Sequence, residues 1–221
     1  MEVTPGLILA MWASGIAGGA AVVSHWAIVG AGYSWLTAAV VTLIGGATAV
    51  AAGPGYAMAA TGAALLAGIF ARRRHLATLL FALSGLGFLV VSTEDGGVIS
   101  AITGTIVLGG MTSEMMLGHW FLIDPKLPRW ALQRLDLVAA AGLVLDLIVV
   151  ATMGGFGADD GVLIAAMVAL SAMTGLLTVA VWFSLREPGY PGVMAATGLS
   201  YLGVLTTFGV VVVGRLLLAG L

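Results

Sequence analysis

The chain has no cysteine, and only 8% of its 221 residues are Asp, Glu, Lys or Arg, against about 25% in soluble proteins. Without thiols there are no disulfides, no iron–sulfur clusters, no covalently attached c-type haem and no cysteine nucleophile. Any metal or haem ligand must therefore be His, Met, Asp or Glu. Histidine is also scarce, with three residues, too dispersed for a His-Glu-x-x-His zinc helix. No Gly-x-Ser-x-Gly or Walker-type loop is present, and Ser84-Gly85 with His119 lacks the oxyanion motif a serine hydrolase needs. Asp159-Asp160 is too small an acidic cluster for magnesium-diphosphate chemistry. The formal net charge of −2 offers nothing to attract nucleic acid.

What the chain has in abundance is apolar sequence, at 61%. A hydrocarbon core of about 30 Å takes about 20 helical residues per crossing, so eight crossings use about 160 residues and leave no room for a soluble domain. The expected fold is an all-α, polytopic integral membrane helix bundle forming one transmembrane domain over 1–221, in a cell membrane of the bacterial cytoplasmic kind. Apolar stretches separated by Gly, Pro or charge predict crossings at 6–29, 35–52, 55–71, 76–92, 98–123, 137–153, 161–184 and 192–219. The second and third are joined only by Gly53-Pro54-Gly55, and a re-entrant hairpin there would lower the count. The first sixteen residues hold no Lys or Arg, so the basic n-region of a signal peptide is missing and the first helix is expected to be retained.

Orientation follows from charge. Arg72, Arg73, Arg74, Lys126, Arg129, Arg134 and Arg186 fall in alternate connections, whereas the opposite ones carry Glu94-Asp95 and Asp159-Asp160. By the positive-inside rule the basic loops are cytoplasmic and both termini lie outside. Thirty-three glycines, in runs such as 14–20 and 104–110, give small faces for close helix packing.

Two internal repeats compete. His25-Trp26 recurs as His119-Trp120, each with a further Trp ten or eleven residues on, which suggests two parallel four-helix halves, 1–96 and 97–221. Against it, Pro54-Gly55-Tyr56 with 58–62 recurs as Pro188-Gly189-Tyr190 with 194–198, pairing crossings that run in opposite directions.

Ionisable groups inside a crossing are expensive, about 2.5–3.5 kcal/mol at mid-helix for Asp, Lys or Arg, and mark functional candidates. Here they are His25, Glu114, His119, Asp146 and Arg215. His25 and His119 each lie about 6 Å inside the expected cytoplasmic ends of their helices, at one depth and on one side. Two facing imidazoles at matched height are what a b-type haem requires, with Trp26 and Trp120 lining the pocket; the plainer reading is a pair of interfacial His-Trp anchors. Met111, Met115 and His119 form an i, i+4, i+8 stripe of haem or Cu(I) ligand types, though Met is also ordinary core filler. Glu114 and Asp146 would relay a proton, meet a quinone carbonyl, or make structural interhelical hydrogen bonds. Arg215 could be the partner of Asp146 or could snorkel outward, and snorkelling is the plainer expectation. His75, after three arginines, reads as solvated or facing headgroups. The stretch 124–134 is expected to leave the helix at its prolines and lay Trp130, Leu132 and its arginines on the membrane surface, anchoring to anionic lipid or docking a partner.

The function expected from these residues is an electron-transfer or quinone-reactive membrane subunit, partnered by lipid and by other subunits of a complex. Haem b would sit between His25 and His119, with Glu114 handling protons. Two other classes stay open: a proton- or cation-coupled secondary transporter using Glu114 and Asp146, and a non-catalytic membrane anchor.

Overall fold

The computed structural model describes residues 3–157 and 160–220; Asp159, half of the acidic pair noted above, lies outside them. The described residues form eight α-helices: α1 Pro5–Trp26, α2 Ala31–Ala52, α3 Gly55–Ile69, α4 Arg74–Gly96, α5 Val98–Phe121, α6 Arg129–Thr152, α7 Gly161–Arg186 and α8 Tyr190–Ala219, with one 3₁₀ turn at Gly155–Gly157. Seven are long and apolar enough to cross a membrane, and α3 is shorter at 15 residues. The protein is a multi-pass helical membrane protein. Its outward-facing Leu43, Val50, Leu205 and Val162 are 70–89% exposed, as lipid-facing side chains are.

The helix ends have local causes. Thr4 Oγ1 caps α1 by accepting the Leu7 N–H at 3.1 Å, ahead of a proline in the first turn, and it donates to Asp95 Oδ2 at 3.2 Å at the far end of α4. Gly53, at φ +95°, breaks α2 from α3. Asp160 caps α7 through the Val162 and Leu163 N–H groups. α6 starts earlier than the sequence suggests. Pro128 occupies its N-cap, where a missing N–H costs nothing, so 129–136 is helix rather than a surface strap. Leu132 is fully buried, Arg129 donates to the Glu187 and Gly189 carbonyls at the α7–α8 turn, and Arg134 stacks on Trp130 at 4.6 Å.

Residues 4–105 and those from 106 onward form two compact units. In the first, α1 and α3 each pack against both α2 and α4, closing a four-helix ring. Small residues set the spacing. Ser14 Oγ donates to the Gly85 carbonyl at 2.8 Å, and a Cβ on Gly85 would meet the Ser14 oxygen and Gly18 nitrogen at 3.2 Å. Ala20, Ala21, Ala38, Ala67 and Phe81 fill one layer of the core.

In the second unit α6, α7 and α8 pack together, and the later part of α5 joins α6 glycine to backbone. A Cβ on Gly110 would lie 2.6 Å from the Ala139 nitrogen, and one on Gly142 would lie 2.6 Å from the Val107 nitrogen. Backbones this close leave no room for a methyl group. Gly142→Ala should destabilise the protein by about 1–3 kcal/mol through overpacking. Gly62→Ala, which meets nothing within 4 Å, should stabilise it by up to about 1 kcal/mol through helix propensity. Thermal unfolding in detergent should give the two substitutions opposite signs; equal melting temperatures would refute the α5–α6 contact.

Candidate functional site

The pairs Val107–Gly142 and Gly110–Ala139 set an antiparallel register between α5 and α6. One turn further along α5, that register places Glu114 beside 135–136 of α6. On its other side α5 meets α8 through three successive small positions. Gly203 lies against Met111, Ser200 against Glu114, and Thr197 against Gly118. Glu114 is thus enclosed between two helices and is fully buried.

Its polar surroundings are unusual in their hydrogen count. Ser200 Oγ contacts Glu114 Oε2 and also the Ala196 carbonyl, the latter at 2.8 Å. Ser200 carries one hydrogen and faces two acceptors. Both contacts are hydrogen bonds at once only if the carboxyl itself carries a proton and gives it to Ser200. The second carboxyl oxygen, Oε1, has no hydrogen-bond partner. Asp136 of α6, 2% exposed, lies within electrostatic range of Glu114, and its Oδ1 also has no hydrogen-bond partner. Among the described residues neither carboxyl has a salt-bridge partner. On α8 the polar stripe continues two turns beyond Ser200 with Thr207, fully buried, whose Oγ1 has no partner.

Asp136 went unremarked in the sequence because a sixth crossing starting at 137 leaves it in a loop. Its signal was present as an acidic residue one helical turn after Leu132, on the face that also carries Ala139 and Leu143.

A second ionic centre lies fifteen residues further along α8, about 22 Å away at 1.5 Å per residue. Arg215 Nη2 donates to Asp146 Oδ1 at 2.7 Å and Nη1 to Oδ2 at 3.2 Å. This is a bidentate pair with both side chains fully buried. The expectation that Arg215 snorkels outward is therefore overturned. A guanidinium matched to a carboxylate in both hydrogen bonds is held inside, because leaving would strand Asp146 in an apolar interior.

The histidine positions divide differently. His25 lies in the last turn of α1 and His119 in the last turn of α5, so they belong to separate units, and both are exposed. His119 Nδ1 is 3.2 Å from the Tyr201 hydroxyl, with the rings edge to face. Trp26 and Trp120 are each half-buried beside them. In the methionine stripe Met111 is buried against Gly203 while Met115 is half-buried, so it runs from core to surface. His75 is exposed beside Arg74. Among the described residues no group of three or more His, Asp or Glu is placed to hold a metal ion.

Compared with protein families, curated proteins and solved structures, the chain matches none. Its chemistry is read from its own side chains.

Removing one member of the Asp146–Arg215 pair takes its bidentate counter-charge from the other, which stays buried. Asp146→Leu or Arg215→Met should each destabilise by about 3–5 kcal/mol, and the double variant carrying both by much less than the two single losses combined. Denaturation of the three variants in detergent completes the cycle; additive losses would show that the pair is not coupled.

Proposed function

We propose that the unit from residue 106 onward carries out proton- or cation-coupled transport, with Glu114 as the exchanging group and Asp136 as its neighbour. The observation that carries this reading is the single hydrogen of Ser200 set between the Glu114 carboxyl and the Ala196 carbonyl. A proton on Glu114 completes that arrangement, and its loss leaves a negatively charged carboxylate whose Oε1 has no hydrogen-bond partner, an oxygen site able to hold a small cation. Asp146, the other acidic candidate, acts in this reading as a fixed strut with Arg215 rather than as an exchanging group. The contacts of α5 with α6 join glycine to backbone, and those with α8 seat the Met111 and Thr197 side chains against Gly203 and Gly118, so small residues set both faces that enclose Glu114.

Electron transfer is the second reading. What favours it is that His25 and His119 occupy matching last turns, each followed by tryptophan. With Tyr201 on Nδ1, His119 would present Nε2 to a haem iron. A reduced-minus-oxidised absorbance band in purified protein, lost in His25→Ala and His119→Ala, would support it.

Transport is tested with proteoliposomes containing pyranine. After an acid pulse, in the presence of Na⁺ or K⁺, wild-type protein should collapse the pH gradient. Glu114→Gln should abolish the flux, and Asp136→Asn should reduce it about tenfold or more, while both keep their melting temperature within a few degrees. A hydrophobic carbodiimide, which adds to protonated carboxyls in apolar surroundings, should label Glu114. Undiminished flux in Glu114→Gln would remove the proposal.

A further inference from the structure

The first unit carries a feature that transport by the second does not use. Between α2 and α3 an apolar groove of about 540 Å³ opens on the outer surface, walled by Trp35, Ala39, Leu43, Leu65, Gly68 and Ile69. Gly68 makes it possible by letting the helices touch at its floor, where an added Cβ would lie 2.8 Å from the Ala38 methyl. Trp35 is half exposed at its rim and Ile69 is 65% exposed. α2 and α3 are antiparallel neighbours, so Trp35 in the first turns of α2 and Ile69 at the end of α3 mark the same end of the groove.

Immediately past that end the chain turns tightly. The Ala71 N–H bonds to the Gly68 carbonyl at 3.1 Å and the Arg73 N–H to the Phe70 carbonyl at 2.7 Å. This turn delivers Arg72, Arg73 and Arg74 in succession, all exposed. Among the described residues none of the three forms a salt bridge with a carboxylate. Arg73 is the N-cap of α4 and Arg74 its first residue, so the cluster lies where the end of α3 meets the start of α4.

We infer that this groove and its arginine cluster form a binding site for an anionic phospholipid, with one acyl chain lying in the α2–α3 groove and the headgroup phosphate held by Arg72, Arg73 and Arg74. Charge complementarity selects the ligand. Three guanidiniums at one point favour a headgroup of net negative charge over a zwitterionic one, and arginine pairs with phosphate in a bidentate fork. Trp35 is placed at the rim, where an amphipathic ring anchors at the interface.

The full chain, in nanodiscs of mixed phosphatidylglycerol and phosphatidylcholine, is released into detergent and its retained lipid identified by native mass spectrometry. Phosphatidylglycerol should be enriched about tenfold or more over phosphatidylcholine. Arg72→Gln with Arg73→Gln and Arg74→Gln should bring the ratio to near one, and the matching triple Lys variant should keep most of the preference. Because these arginines also orient the chain in the membrane, a groove variant serves as an independent arm. Ala39 is exposed on the groove wall, and Ala39→Trp should fill the groove and lose retained lipid of both kinds without changing the melting temperature. No enrichment in wild type, enrichment that survives the triple Gln change, or full retention in Ala39→Trp would each overturn the site. So would displacement of the bound species by millimolar inorganic phosphate, which would reduce the arginines to a free-phosphate site.

Discussion

A charge inside hydrocarbon needs its counter-charge within hydrogen-bond reach, and in this protein the Asp146–Arg215 pair meets that demand. It ties the last third of α6 to the last third of α8. Arg215 is the bulkiest fully buried side chain among the described residues, so the backbone around it has to be thin, and Gly214 is its neighbour in the chain. The other end of α8 is located by smaller contacts, Thr197 against Gly118 and Ser200 against Glu114. With both ends of α8 set by polar or glycine contacts to neighbouring helices, the enclosure around Glu114 follows.

The remaining polar groups in the spans mostly solve the same problem locally. Thr37, Thr48, Thr61, Thr178 and Thr197 each donate to the carbonyl four residues back, a bond that needs no second helix. A carboxylate has no hydrogen to return to a carbonyl, so Glu114 and Asp136 have no such route. They must take a donor from elsewhere or carry a proton themselves. This asymmetry between hydroxyl and carboxyl separates three polar classes in one bundle: self-satisfied hydroxyls, a neutralised ion pair, and a carboxyl pair with oxygens still open.

Close packing distributes these classes. In the first unit the small residues of α1, α2, α3 and α4 meet one another, and one layer of the core is alanine with phenylalanine. The unit's arginines lie at its ends, after α3, while its interior polar groups are hydroxyls such as Ser14. In the second unit glycines on α5 and α6 bring backbones together, and this is what presses Glu114 and Asp136 into one neighbourhood. The two units therefore differ in character: the first carries the apolar α2–α3 groove with arginines at its end, the second an interior in which carboxyl groups are enclosed.

Membrane residence, helix number and most helix limits were legible in the residues alone, because the cost of exposing backbone polar groups to lipid forces each long apolar run to be a helix, and Gly53-Pro54-Gly55 or the glycines near 96–97 interrupt those runs locally. Glu114 and Asp146 were legible for the same reason, as charges where charge is costly. What one dimension could not hold was pairing. Arg215 reads as either the partner of Asp146 or an outward-reaching arginine, and only the packed helices, which bring the two together across 69 positions, decide for the pair. Asp136 reads as a loop residue until Pro128 is found capping a helix rather than ending one. Partners, burial and hydrogen count are properties of helices packed side by side, and that packing is decided by glycine contacts whose members lie tens of residues apart.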